Sequence, residues 1–358
     1  MVCCKLGQYY RRENLHLEQK RATYKFLYIL RFIGVSLIVY DHLGALRNPD
    51  WIVARVLEYW LNKPLGLIQS FGAFAVCLFL VISGFCLTTT SKNGLTFIYN
   101  KVVKIIGTLF LSTVLFYIFN ILFSHLTAKT YWDQFSVIDW LKSGTLLCYV
   151  QGKESAINGA IWYLFSLMFL YLFFGLLYGI IKKHVIYLPI LIDIFFILLI
   201  ILNSVGVKFL PVMQWLVFAL IPIFGYLIRS VYEKKISFKV FLVTFFINYM
   251  VLVESIITFR GEYYMNQPYL ISMIFALSLF GIFLAFEEKI VLPRFVKFIS
   301  DISFSIYLLH MTFGSLFMTE LVGRLGFTLS FIVSVCLVVL LSWGQFYWIE
   351  KRAITKLR

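Results

Sequence analysis

Apolar runs of about twenty residues recur from residue 26 almost to the C-terminus, separated by short clusters of charged, Pro and Asn residues. A mostly apolar run of about 20 residues is long enough to cross the hydrocarbon core of a bilayer as a helix. Ten such runs are legible, at 26–46, 68–90, 103–125, 160–181, 185–203, 209–229, 239–259, 268–286, 297–318 and 326–348. The breaks carry the punctuation that ends helices, among them Arg47-Asn48-Pro49-Asp50, Lys182-Lys183-His184 and Asn266-Gln267-Pro268. The pattern predicts an all-α, polytopic membrane protein of about ten transmembrane helices. It divides the chain into a cytoplasmic N-terminal segment 1–25, a membrane domain 26–350 and a short cytoplasmic tail 351–358.

Composition narrows the class further. Of the 358 residues, 61% are hydrophobic and only 14% are charged, against about 25% charged in a soluble domain. A soluble enzyme, a disordered chain and a nucleic-acid-binding module in water are all excluded. The net charge of +15 has another origin. With the N-terminus inside, 22 of the 32 Lys and Arg fall in cytoplasmic segments and 9 in external loops, with Arg31 inside the first run. That asymmetry is the positive-inside rule, and it predicts a multi-pass protein of the cell membrane with both termini cytoplasmic. The first 25 residues are charged and lack an apolar core, so no secretory signal peptide is expected. The six cysteines show neither a disulfide framework nor a paired metal spacing, and no metal is expected.

Ionisable residues inside a span are costly and mark cavities or the bundle interior. The first run carries Arg31 and His42, eleven positions apart. At 100° and 1.5 Å per residue they share a helix face, roughly 16 Å apart along the axis. Asp41 points elsewhere and is not expected to orient the His42 imidazole. In the ninth run Ser303, Tyr307 and His310 fall at i, i+4 and i+7 on one face. Ser83-Gly84-Phe85 places a small residue where two backbones can approach. Lys101 and Lys104, three apart at the mouth of the third run, form a cationic pair suited to phosphates. A snorkelling arginine, a structural histidine and an interhelical hydrogen-bond cluster remain open alternatives for these groups. Asp193 and Glu254 are single carboxylates without an assigned partner.

Taken together, these residues resemble the acyltransferase-3 family of integral membrane acyltransferases. Its arginine, ten residues, then histidine is similar to Arg31 and His42. Its Ser-Gly-Phe segment resembles Ser83-Gly84-Phe85. Lys101 and Lys104 stand where the family usually has two arginines, without the proline that often follows. Trp162-Tyr163-Leu164 matches a mid-chain Trp-aromatic-Leu, and Ser305-Ile306-Tyr307-Leu308-Leu309-His310 matches a Ser-Tyr-Leu-His segment. Tyr347-Trp348-Ile349-Glu350 resembles the closing aromatic-Ile-Glu, again without its proline. Where members with long substrate ranges carry glutamates, this chain has Ser166, Leu167 and Met168, so it looks more like the short subgroup that modifies polysaccharides. Lysine keeps the charge of arginine but loses its bidentate phosphate geometry.

The resemblance implies an acyl-coenzyme A co-substrate, commonly acetyl-CoA, and a sugar hydroxyl as acceptor, with no permanently bound cofactor. The expected partners are the lipid bilayer, acyl-CoA and a glycan or lipid-linked sugar. Arg31, Lys101 and Lys104 would hold the coenzyme A phosphates, and the pantetheine arm would reach toward His42. His42 would act as general base or as an acyl relay. His310 and Tyr307 would orient the acceptor or stabilise the thioester oxygen. From the residues alone, a polytopic transporter or flippase is the main alternative, because carriers also use buried Arg, Asp, Glu and His.

Overall fold

The computed structural model describes residues 24–66, 71–127, 129, 132, 135–207, 209, 211–260 and 263–351. The expected segments 1–25 and 351–358 therefore lie outside the described residues, apart from Tyr24, Lys25 and Lys351. Every regular element among the described residues is helical. In a bilayer a helix satisfies all its backbone polar groups within one segment, which is why continuous apolar runs take this form.

Ten apolar helices overlap the ten predicted runs. They are α1 (Lys25–Ala45), α2 (Phe71–Phe85), α3 (Gly94–Thr127), α4 (Gly159–Leu176) and α5 (Tyr187–Ser204), followed by α6 (Met213–Tyr232), α7 (Phe238–Arg260), α8 (Tyr263–Ala285), α9 (Ser303–Leu325) and α10 (Phe327–Glu350). Among the described residues eight of them are long and apolar enough to cross a membrane, and α2 and the apolar part of α8, Tyr269–Ala285, are shorter.

Three boundaries differ from expectation. Helix α3 begins at Gly94, nine residues early, capped by the Asn93 side chain accepting from the Thr96 amide at 2.8 Å. Lys101 and Lys104 therefore sit inside the helix rather than at its entrance. Helix α8 begins at Tyr263, so Asn266-Gln267-Pro268 falls in its first two turns rather than before it. The ninth run is two pieces: an amphipathic helix Arg294–Asp301, then α9 from Ser303.

Helices α2 and α6 form the centre of the bundle. Gly84 of α2 lies directly against the Pro222 backbone carbonyl of α6, and Gly225 of α6 against the Val81 carbonyl of α2. A methyl group at either site would occupy the neighbour's backbone, so the two helices meet backbone to backbone. Around them pack α1 and α8 against α2, and α4 against α3 and α6. Helices α5, α7 and α10 lie at the perimeter and turn Ile194, Leu198, Phe246, Ile332 and Leu340 outward, the apolar belt a hydrocarbon solvent would cover. Polar ties fix the register between helices. Gln345 of α10 donates to Ser112 of α3 at 2.7 Å, and Asn248 of α7 donates to the Leu220 carbonyl at 3.2 Å. The Glu287 carboxylate accepts from the Lys25 and Phe26 amides at 2.7 and 2.8 Å, capping α1 from across the chain.

The connection between α3 and α4 folds back onto the bundle. Its helix Val137–Thr145 starts in a capping box of Ser136 and Asp139. Trp140 is buried against Phe116 and Tyr117 of α3, in a small core completed by Phe313 and Leu316 of α9.

Candidate functional site

Four of the five π-helical turns among the described residues carry a residue that the sequence singles out. Tyr40–Ala45 holds His42, Val103–Gly107 holds Lys104, His310–Gly314 holds His310 and Phe346–Glu350 holds Glu350. A π turn inserts one residue into the helical register, re-aims the side chains that follow and frees backbone carbonyls, and such turns cluster at functional sites.

Two cavities lie toward opposite ends of α1, an inner one at its Arg31 end and an outer one at its His42 end. The inner one, of about 360 Å³, lies among α1, α2, α3, α4, α9 and α10. It collects Arg31, Lys101 and Lys104, the three cations expected to gather there. Arg31 also approaches the Cys86 thiol, with Nη2 at 3.9 Å from Sγ. The Lys101 ammonium lies 4.4 Å from the centroid of the Tyr171 ring, a cation–π contact. Ser83, Tyr307 and Glu350 line the same cavity. Glu350 accepts from Ser305 Oγ at 3.2 Å and stands 3.9 Å from the Lys104 ammonium, so part of the positive charge is already countered. Gly84 and Phe85 are not in the lining. Gly84 makes the α2–α6 contact, and Phe85 packs on Phe26 and Phe280 while its carbonyl accepts from Arg229 at 3.0 Å.

The outer cavity, of about 250 Å³, lies among α1, α2, α4 and α8. His42 lines it together with Asp41, Ala160, Trp162 and Tyr269. Tyr307 stands between the two spaces. Its ring lines the inner cavity, and its hydroxyl donates to the carbonyl of Ala160, which lines the outer one. Tyr163 packs edge-on against Tyr307 with centroids 4.8 Å apart, and Phe79 stacks on Tyr163. These three rings form the partition.

The histidines are joined to each other. His310 is fully buried and lines neither cavity. Its Nδ1 lies 2.7 Å from the Tyr307 carbonyl oxygen, and its Nε2 lies 2.8 Å from Nδ1 of His42. A carbonyl only accepts, so with neutral rings His310 carries its proton on Nδ1 and donates it there. Its Nε2 is then an acceptor, and His42 donates from Nδ1. The bare nitrogen of His42 is therefore Nε2. This proton assignment follows from the hydrogen-bond partners. The partner of His42 is a histidine from another helix, and Asp41, one residue away, instead contributes its carboxyl group to the outer cavity.

A family model for an acyltransferase domain, acyltransferase-3, matches residues 24–344. The chain belongs to the acyltransferase-3 family. No curated protein and no solved structure matches the chain at a significant level. The match runs through all ten helices and includes Arg31, His42, both lysines, Tyr307 and His310, leaving Glu350 just beyond it. Membership makes this protein a membrane acyltransferase and resolves the alternative of a carrier in favour of acyl transfer.

Several residues of the two cavities escaped the sequence reading. Phe79, Tyr171, Cys86 and Asp301 of the inner cavity, and Tyr269 of the outer one, are spread over four segments. Apart from Phe79 and Cys86, seven apart on the second run, no linear spacing connects them. Asp193 and Glu254 line neither cavity. Among the described residues no group of three or more His, Cys, Asp or Glu comes together as a metal site.

Proposed function

We propose that this acyltransferase takes an acyl group, in the form of acetyl, from cytoplasmic acyl-CoA and moves it to a hydroxyl of a cell-surface polysaccharide or lipid-linked sugar. In this reading the protein lies in the cell membrane with both termini cytoplasmic, as its lysine and arginine distribution favours. The observation that carries it is the hydrogen-bonded His42–His310 pair, with His42 lining the outer cavity and a cationic cavity at the Arg31 end of the same helix.

The roles follow from placement. Arg31 and Lys101, with Lys104 balanced by Glu350, attract the coenzyme A phosphates. The acyl end of the pantetheine arm extends past Tyr307 toward His42. Nε2 of His42 takes the proton of the acceptor hydroxyl as its oxygen attacks the thioester carbonyl. The tetrahedral intermediate collapses, the C–S bond breaks, and the leaving coenzyme A sulfur takes the proton back from His42, which returns to its neutral form. The products are an O-ester and free coenzyme A. His310 is a positioning residue in this scheme, because it touches neither substrate. It holds the His42 ring with Nε2 free and accepts the Nδ1–H bond, which strengthens when His42 becomes cationic.

The test is acyl transfer by purified protein in detergent, read as free thiol released from acetyl-CoA and as mass added to an acceptor. His42→Ala is expected to lower transfer by about 10²–10⁴-fold while coenzyme A binding persists. Transfer close to that of the unaltered protein would remove His42 from the chemistry. Arg31→Ala is expected to raise KM for acetyl-CoA more than it lowers kcat.

A further inference from the structure

The outer cavity differs from the inner one in charge as well as position. Its lining combines an aromatic wall, Trp162 and Tyr269, with the Asp41 carboxyl group and the His42 imidazole. Trp162 meets Tyr269 edge-on at 5.7 Å and is backed by Phe218 at 4.8 Å, so the wall is braced from behind. Asp41 is buried, 2% exposed, and packs against Gly72 of α2, where any Cβ would collide with its carboxylate oxygen. The missing side chain at Gly72 is what admits the carboxyl group between α1 and α2. No Lys or Arg appears in the lining among the described residues. Arg260, the cation on the neighbouring helix α7, is turned over the Phe218 ring at 4.9 Å and donates to the Gln214 carbonyl at 2.9 Å.

We propose that this cavity is an acceptor site for one neutral sugar unit, and that Asp41 makes it discriminate against acidic sugars. The inference rests on the acyl-CoA reading above and specifies the acceptor of the same reaction. A pyranose presents an apolar face of C–H groups and an edge of hydroxyls. Trp162 and Tyr269 suit the face, and the Asp41 carboxylate suits the edge, accepting from hydroxyls adjacent to the one that His42 deprotonates. The volume, about 250 Å³, lies just below the ~300–1,000 Å³ of drug-sized ligand sites, which is room for a single ring rather than a stretch of chain. An acidic sugar would bring a second carboxyl group into a partly desolvated space beside the first, where two carboxyls cannot both hold their charge, so binding it costs a protonation that a neutral sugar does not. The two cavities thus sort substrates by sign: cations collect the anionic donor, and a carboxylate receives an uncharged polyol.

The experiment uses the full chain in detergent with acetyl-CoA as donor. The acceptor probes are methyl glucoside and methyl galactoside, against the corresponding methyl uronides. Products are read by mass, and coenzyme A binding is measured separately. The unaltered protein is expected to acetylate the neutral glycosides at least about tenfold faster than the uronides, equal to about 1.4 kcal/mol of discrimination. Asp41→Asn is expected to raise the uronide-to-glycoside ratio by about tenfold with KM for acetyl-CoA unchanged. Trp162→Leu is expected to raise KM for the glycosides and again leave KM for acetyl-CoA alone. Equal use of neutral and acidic sugars, an unchanged ratio in Asp41→Asn, or coenzyme A binding with no sugar acetylated would each overturn this inference and leave the acyl-CoA reading standing. Absence of both coenzyme A binding and thiol release would bring down both. The comparison within the unaltered protein needs no variant to fold.

Discussion

His310 spends both ring nitrogens inside the protein, one on the Tyr307 carbonyl and one on His42. Its effect on acyl transfer therefore passes through the tautomer and orientation of His42. His310→Ala is expected to lower kcat by about 10²-fold or more, within the range of a positioned acid–base group, and to change the pH–rate profile with KM for acetyl-CoA little altered. A purely structural histidine would lower the amount of folded protein and leave the profile of what remains unchanged. Glu350 offers a test of opposite sign. It stands 3.9 Å from Lys104 in the inner cavity, so Glu350→Gln is expected to uncover that charge and tighten coenzyme A binding at low salt. The gain should shrink as ionic strength rises, because salt screens the contact. Calorimetric titration at two salt concentrations checks both statements.

Helix-to-helix contacts carry predictions of a different kind. Gly84 lies against the Pro222 backbone, and no flexible side chain stands there to give way. Gly84→Ala must separate α2 from α6, at a cost of about 1–3 kcal/mol or more for overpacking, visible as a lower melting temperature in detergent. Gly225→Ala strains the same interface, so the double variant is expected to be less than additive. The Val137–Thr145 helix responds to acid. Hydrogen bonds from the Ser136 hydroxyl and backbone amide hold the Asp139 carboxyl below its ordinary range. A carboxyl whose folded pKa is depressed stabilises the fold above its unfolded value, and that contribution is lost as pH falls through the folded one. Protection of the Val137–Thr145 amides, relative to their intrinsic exchange rates, should fall in that acidic window, and Ser136→Ala, which brings the folded value toward the unfolded one, should shrink the fall. Much at this scale was legible. Long apolar runs located all ten helices, because hydrocarbon solvent demands them. The π turns were not. Counting at 100° per residue presumes an unbroken 3.6-residue period, and nothing in Tyr40–Ala45 or His310–Gly314 announces the extra residue that turns His42 toward His310.

At the scale of the whole molecule, the sequence placed Arg31 and His42 on one helix at two depths, and the structure puts them in two cavities. The gathering of Arg31, Lys101 and Lys104 was readable, because each lies near the same end of an alternating series of spans. The division between the cavities was not, since it depends on Phe79, Tyr163 and Tyr307 arriving from α2, α4 and α9. That division has a consequence for the cell. A bundle hollowed from both faces comes within one layer of side chains of being a pore, and an open pore would dissipate the ion gradients that the membrane maintains. The Tyr307 ring fills that layer, and its hydroxyl on the Ala160 carbonyl fixes where the ring lies. Tyr307→Phe keeps the ring and should keep liposomes holding the protein tight to protons. Tyr307→Gly removes the ring and should let a trapped pH indicator equilibrate within the assay, making this acyltransferase a leak.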